Sequence, residues 1–420
     1  MIKDCSDLLL KIALQTLEEI NPYSLVLNEL KKIDPSKYEK IFVLGAGKGA
    51  FKMAEAAEKN FGLKITEGFI IIPKGDPTPH LKKIKCICGS HPLPDKNGLK
   101  GAKEILKIAK KASKKDLVIT LISGGGSALM PYPMEGITLE EKIKTTCLLL
   151  KCGANINEIN TVRKHLSQIK GGRLMEAIYP AKCLNLVISD VLGDDLSAIA
   201  SGPVSPDPTT CQQALKIFEK YKIVKETPLS VIECLKKGIE TPKPGNKIFK
   251  KVTSKILANH ETTAKAAEKI AKTVLGTTFS VKILDKHMAG DCNKTAHKVI
   301  KTIGNQKGLF ILAGETTVKV IGHGHGGRNQ QFVLACLKEF FKKQKQSPFT
   351  LLSLGTDGVD GFCPENIAGA IATQETLKKG LDIEKHLNQN DSYGFFKKTK
   401  GLIKTGPTGT NLGDLVLIFI

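Results

Sequence analysis

The sequence predicts an α/β protein in which a doubly wound, mostly parallel sheet is followed by a second α/β domain. Three observations predict it. Apolar runs of strand length alternate with amphipathic helical stretches over the first 235 residues, the pattern of parallel strands joined by crossover helices. At Lys236–Lys247, KKGIETPKPGNK, prolines, glycines and lysines interrupt the apolar periodicity before a new strand–helix series begins. A chain of 420 residues also exceeds what one hydrophobic core covers, so two domains of roughly 150–250 residues each are expected.

Taken in order, the first half reads as a helix near 4–20, strand 41–45, helix 48–60, strand 68–73, helix 97–112 and strand 116–122. A long helical stretch around 138–178 follows, then strand 183–189 and helices near 194–201 and 209–221. These make residues 1–237 a Rossmann-like N-terminal domain, with 238–247 as the linker and 248–420 as the C-terminal domain. The second half reads as strand 253–258, helix 261–275, strand 279–285, helix 290–303, strand 308–313 and a β segment at 315–321. Helix 329–342, strand 349–354 and a terminal strand at 415–420 complete it.

Composition narrows the function classes. With 41% hydrophobic and 25% charged residues the chain is an ordinary globular one. No window approaches the roughly 18 uninterrupted apolar residues of a membrane helix, and the opening MIKDCSDLLLKIALQ carries acids and a lysine where a signal peptide has its apolar core. A cytoplasmic location with no membrane partner is expected. The eleven cysteines form no CxxC pair and fall mostly in apolar segments, as Cys147, Cys183 and Cys336 do, which suits plain thiols in a reducing compartment.

The net charge of +22 comes from 60 lysines and only 3 arginines, spread without blocks or interleaved aromatics. Base reading leans on arginine, so nucleic acid is not the expected partner; attraction of a small anionic substrate is. In so lysine-rich a chain, Arg163, Arg173 and Arg328 mark candidate places where a planar bidentate fork is required.

In open α/β sheets ligands sit at the carboxyl ends of strands, so loops there carry more weight than loops elsewhere. After the first strand, Gly45-Ala46-Gly47-Lys48-Gly49 opens a helix. Its glycines fit a loose dinucleotide fingerprint, but the next strand ends at Lys74 and reaches Asp76 only after a glycine, so the ribose-binding acid is misplaced. What remains is a lysine beside backbone donors, suited to phosphate or carboxylate. Strand DLVITLI runs into Ser123-Gly124-Gly125-Gly126-Ser127, a candidate phosphate cradle. Strand CLNLVIS runs into Asp190, with Asp194, Asp195 and Asp207 following; carboxylates at a strand end suit Mg²⁺ beside phosphates, and one could take a hydroxyl proton. The pair His323 and His325 lacks a third metal ligand nearby, while Arg328 follows at a helix start where dipole and guanidinium add. Asp357 and Asp360 stand in glycine turns after TLLSLG. Asp190, Asp194 and Asp357 are therefore the candidate metal ligands.

Two glycine loops, a lysine, an arginine at a helix start and strand-end aspartates together fit phosphoryl transfer. The segments VLGAGKGAFKMA, ISGGGSALM, NTVRKHLSQIKGGRL, ISDVLGDDLSAIASGPVSPDPTT, LAGETTVKVIGHGHGGRNQQ, SLGTDGVDG and PTGTNLGDL together resemble glycerate 2-kinase, the two-domain family whose C-terminal half is known as the MOFRL domain. The resemblance runs in order from about residue 4 to 420. It implies ATP-dependent phosphorylation of D-glycerate at its 2-hydroxyl to give 2-phosphoglycerate and ADP, with Mg²⁺ and an active site in the cleft between the domains. By motif, Lys48, Asp190 and Arg328 correspond to the catalytic charged residues, and Lys48, Arg163 and Arg328 to those holding substrate. Gly45, Gly47, Ser123, Gly124, Gly125, Gly126 and Ser127 would hold the nucleotide, and Arg163, Lys164 and His165 would line the same cleft. Relatives labelled hydroxypyruvate reductases make an NAD(P)H-dependent reductase the alternative. The oligomeric state is open, a homodimer being one option.

Overall fold

A computed structural model describes residues 5–75, 80–276, 278–342 and 348–420; Asp76 lies outside them. The chain forms two compact units, Pro22–Leu257 and Met1–Asn21 with Ala258–Ile420.

The first unit is built on β1 (Ile41–Ala46), β2 (Ile65–Pro73), β3 (Ile84–Gly89), β4 (Leu117–Ile122), β5 (Lys182–Ile188) and β6 (Val252–Ala258). Their order is β3-β2-β1-β4-β5-β6, and β1 through β5 pair in parallel. Every residue of β1 and of β4 is buried, as unbroken apolar runs covered on both faces require. One face packs Phe42, Leu44, Phe69 and Ile71 against Ile105 and Leu106, the apolar stripe of the helix Lys96–Ala109. From β1 the chain moves outward through β2 and β3, then returns to lay β4, β5 and β6 on the other side. The order thus reverses between β1 and β4, which places the two glycine loops beside each other at the switch point.

Two expectations change here. The strand expected to open the second domain is β6, an edge strand of the first sheet, so the 236–247 segment lies inside the first unit and not between units. The long helix expected over 138–178 is three: Leu139–Lys151, Ile156–His165 and Arg173–Ile178. Gly153, at φ +79°, ends the first. Asn155 and Glu158 then form a capping box for the second, and the left-handed pair Gly171-Gly172 separates it from the third. With the helices Cys211–Lys220 and Leu229–Lys236 the first two pack a separate core around Leu149, Ile159, Val162, Phe218 and Leu235, while Leu174, Met175 and Ile178 of the third join the core of the sheet. The edge strand β3 escaped sequence reading because Lys85 interrupts its short apolar run, as edge strands allow.

The second unit carries β7 (Val281–Asp291), β8 (Leu309–Thr317), β9 (Thr350–Gly355), β10 (Gly369–Thr373), β11 (Leu402–Ile403) and β12 (Asp414–Phe419). Their order is β11-β10-β9-β12-β8-β7. Only β7 and β8 pair in parallel; the remaining pairs are antiparallel. The last strand of the chain is central, which ties Asp414 to a buried position. Among the described residues no helix is long and apolar enough to cross a membrane. All eleven cysteines are free thiols. Cys183 and Cys336 are buried, but Cys147 points outward from the helix Leu139–Lys151, on the side away from its buried residues.

Candidate phosphate-binding site

The loops after β1 and β4 are laced together. Lys48 N–H donates to Gly124 O at 2.9 Å, and Gly49 N–H donates to the Ser123 hydroxyl at 2.9 Å. A Cβ on Gly47, whose φ is +140°, would collide with Ser123, and one on Gly45 would meet Leu121 O at 2.8 Å. These two glycines answer to close packing of neighbouring strand ends. The dinucleotide-like spacing thus has a structural cause within the sheet.

Beyond them a cavity of about 570 Å³ opens at the carboxyl ends of β4 and β5. Of the residues expected to bind nucleotide or metal, Gly124, Gly125, Ser127 and Asp190 line it. Gly45, Gly47, Ser123, Gly126 and Asp194 do not, nor does Lys48, expected to hold substrate, while Asp195 does. Asp194 faces a separate surface hollow beside Phe249 and Ser254.

Three basic side chains border the cavity. Arg163 is half-buried and comes from the helix Ile156–His165. Lys142 and Lys170, 5% and 1% exposed, are buried; neither was among the candidates read from sequence. Lys142 Nζ donates to Leu166 O at 2.7 Å and Arg163 O at 3.3 Å, at the carboxyl end of that helix, where an ammonium opposes the dipole favourably. Lys170 Nζ donates to Ser127 O at 2.9 Å and Ala200 O at 3.5 Å, joining the glycine loop to the turn after Asp195. That turn is strained: Ala200 and Ser201 have φ of +50° and +59°. It is held by Ser201, whose hydroxyl donates to Asn160 Oδ1 at 3.1 Å and takes the Ser127 hydroxyl at 2.8 Å. Such strain persists where surrounding bonds over-determine it.

Among the described residues, none of Arg163, Lys142 and Lys170 forms an ion pair. Burial, and then the charge of Arg163, pull Lys142 down to about 7, with Cys234 opposing. Burial, with Lys142 and Arg163 adding to it, takes Lys170 well below its ordinary value. The cavity therefore develops its full positive charge when an anion enters.

A pH dependence follows. Above about pH 7 Lys142 in the empty cavity loses its proton, so kcat/KM for an anionic substrate should fall with rising pH. Lys142→Arg, which stays charged, should flatten that limb, and an unchanged limb would remove Lys142 from binding. Stability runs the other way. Below about 7 both folded and unfolded chains hold the proton, and the fold carries the whole desolvation cost. Between about 7 and 10.5 only the unfolded chain holds it, so this group's contribution to stability rises with pH.

The motif NTVRKH does not act as a block. Consecutive helical residues diverge by about 100°, so of its three basic residues only Arg163 borders the cavity, on the side that also carries Asn160. Lys164 pairs with buried Asp207 at 3.4 Å; Asp207 also accepts from the Thr209 and Thr241 hydroxyls. His165 has its Nε2 3.1 Å from Glu240. Arg173 serves structure as well, donating to Ile239 O and Glu240 O.

In the second unit Arg328 lies at the start of the helix Arg328–Lys342. Its Nε donates to Asp414 Oδ2 at 2.8 Å and its Nη2 to Asp414 Oδ1 at 2.9 Å, while Nη1 is 2.8 Å from Glu315. Burial opposes the charge, but Asp414 and then Glu315 outweigh it and hold the guanidinium well above its ordinary value. The helix N-terminus expected to receive a substrate anion is capped by Asp360, which takes the N–H groups of Asn329 and Gln330 at 2.9 Å each. Burial pushes the Asp360 carboxyl up against those bonds. Asp357 accepts from Val359 N–H at 3.0 Å, closing its turn. His325 stacks on Phe362. Among the described residues the one three-ligand cluster able to hold a metal is His165, Cys211 and Glu240, without His323 or His325.

A doubly wound sheet with an anion-seeking cavity at its carboxyl edge, in a chain whose other unit carries a mixed sheet, defines a two-domain α/β protein of phosphate-handling type. Comparison with known proteins makes the class specific. The family described as "Domain of unknown function (DUF4147)" matches residues 8–236, and the MOFRL family matches residues 308–414. A D-glycerate 2-kinase of Thermotoga maritima is 38% identical over 98% of this chain and 97% of its own. A protein of Agrobacterium vitis described as a putative hydroxypyruvate reductase is 36% identical over 90% and 86%. The crystal structure of a glycerate kinase from Thermotoga maritima superposes with a TM-score of 0.86 at 37% identity, covering 99% of each chain. The chain belongs to the two-domain glycerate 2-kinase family with a C-terminal MOFRL domain.

Proposed function

We propose that this chain transfers the γ-phosphoryl group of ATP to the 2-hydroxyl of D-glycerate, giving 2-phosphoglycerate and ADP. The observation that carries the proposal is the convergence of Arg163, Lys142 and Lys170, none with a carboxylate partner among the described residues, on one cavity. Lys142 and Lys170, buried and bonded to carbonyls, and the half-buried Arg163 seek an anion, and a polyphosphate supplies the most charge in the least volume. Loose phosphoryl-transfer transition states are stabilised mainly by positioning and by such positive charge.

Asp190 stands at the carboxyl end of β5 on the same cavity and is the proposed acceptor for the 2-hydroxyl proton. Lys48, in the loop bound to Gly124, is proposed to neutralise charge on the substrate carboxylate or the transferring group. Arg328 is proposed to hold the strands β12 and β8 through Asp414 and Glu315. The residues fit Mg²⁺ as an ion that arrives with ATP. Asp190 and Asp195 border the cavity, but Asp195 already accepts Ser197 N–H and O–H at 2.8 and 3.0 Å, and one or two carboxylates plus phosphates is the usual Mg²⁺ environment. When bound, the ion would screen the phosphate charge.

Incubation with D-glycerate and MgATP tests the proposal, with ADP release followed and 2-phosphoglycerate resolved from 3-phosphoglycerate. Stoichiometric ADP and the 2-phospho product are expected. NADH oxidation with hydroxypyruvate, and no ATP-dependent product, would replace it with the reductase.

A further inference from the structure

The helix Ile156–His165, which carries Arg163 to the cavity, ends on a side chain that the cavity does not use. The imidazole of His165 is wholly buried. Its Nδ1 lies 2.8 Å from Thr161 O; a carbonyl only accepts, so Nδ1 carries a hydrogen and donates it. Its Nε2 lies 3.1 Å from Glu240 Oε2. Unless a cation joins the two, that sets an imidazole lone pair against a carboxylate. The buried Cys211 thiol completes the group, one ligand atom each from His165, Cys211 and Glu240 lying within 4.8 Å of one another. The three come from the end of one helix, the start of the helix Cys211–Lys220 and the segment after the helix Leu229–Lys236. No helical repeat accounts for their meeting.

We infer that His165 Nε2, Cys211 Sγ and the Glu240 carboxylate form a binding site for one Zn²⁺ ion, with water as fourth ligand, that clips these three segments together. An imidazole, a thiol and a carboxylate make a set that suits Zn²⁺, whereas Mg²⁺ takes oxygen ligands. Tetrahedral bonds of about 2.0–2.1 Å put the nitrogen and oxygen ligands about 3.3 Å apart, close to the 3.1 Å between Nε2 and Oε2. The groups behind the ligands are also in place. Thr161 O orients the imidazole so that Nε2 is presented, and Glu240 Oε1 takes Cys211 N–H at 2.9 Å. The Glu240 side chain, 36% exposed, gives the ion a way in. Lys243, now 2.7 Å from Glu240 Oε2, would yield that oxygen and keep the Thr241 hydroxyl at 3.0 Å and Thr209 O. On binding, Cys211 releases its proton to water, and thiolate and carboxylate balance the two charges of the ion. The clip closes at the helix end whose carbonyls, Arg163 O and Leu166 O, hold Lys142. It draws nothing from the phosphotransferase reading.

The test is a titration of the full chain, freed of metal by a chelator, with Co²⁺ alone and then Zn²⁺. One Co²⁺ per chain should bind with the near-ultraviolet charge-transfer band of a cobalt–thiolate bond, and Zn²⁺ should remove that band by displacement. Cys211→Ser should abolish the band, and Cys147→Ser, at the exposed cysteine, should leave it intact. Glu240→Gln should weaken Zn²⁺ by at least about tenfold, since loss of even an outer partner of a ligand costs that much. Glu240 is the partly exposed member of the set, so this variant decides the matter if Cys211→Ser fails to fold. No Co²⁺ binding, binding without the band, a band that survives Cys211→Ser, or Zn²⁺ affinity unmoved by Glu240→Gln would overturn the site. The group would then be a protonated His165 paired with Glu240.

Discussion

Arg328→Met should lower the unfolding free energy of the second unit by about 3–5 kcal/mol, the usual cost of breaking a buried pair from one side. Asp414 is 1% exposed, and its two oxygens take the arginine fork at 2.8–3.0 Å. Without that fork, Asn329 Nδ2 at 2.8 Å is the side-chain donor left to it among the described residues, and the central strand β12 begins on an uncompensated buried charge. Arg328→Lys keeps a charge but loses the bidentate geometry, so it should recover part of the loss. Denaturant unfolding followed with a probe in that unit measures this. A stability loss with kcat of the folded protein unchanged assigns Arg328 to structure. Unchanged stability with a collapsed kcat assigns it to the reacting groups.

The second large effect is on turnover. Lys48→Ala should reduce kcat by about 10²–10³, the scale seen when one preorganised donor to developing charge is removed. The fold should survive, because the loop is fastened through the main-chain N–H groups of Lys48 and Gly49, which alanine preserves. Steady-state kinetics beside a thermal transition separates the two effects. Near-natural turnover in a normally folded variant would reduce this turn to a strand-end junction.

Sequence periodicity showed nine of the twelve strands, missing β3, β10 and β11, and the mostly parallel first sheet, and strand-end chemistry led to the loops at Gly124–Ser127 and Asp190. It did not show which side chains face the ligand, since that depends on helix rotation and on packing between distant segments. Arg163, Lys164 and His165 are neighbours in the chain, yet one borders the cavity and two turn toward Asp207 and Glu240. Lys142 carried a signal that went unused. Leu139, Lys142, Thr145 and Leu149 are the buried positions of their helix, and a lysine standing on an apolar stripe departs from the solvated-charge pattern. Lys170 carried no such periodicity, because it lies between helices and is buried by loops from Ser127 and Ala200. The fork of Arg328 was legible as a bidentate site, but its partner Asp414, 86 residues further on, was visible only once β12 was seen to be central.

The position of the nucleotide phosphates is the observation on which the functional reading turns. A crystal structure of the chain with Mg²⁺ and a non-hydrolysable ATP analogue measures it. Phosphate oxygens should lie within hydrogen-bond distance of Arg163, Lys142 and Lys170, roughly 2.7–3.2 Å. Phosphates bound elsewhere, with Lys142 and Lys170 still held only by the carbonyls of Leu166, Arg163, Ser127 and Ala200, would show that these amines fasten loops and that the phosphate site has been misplaced.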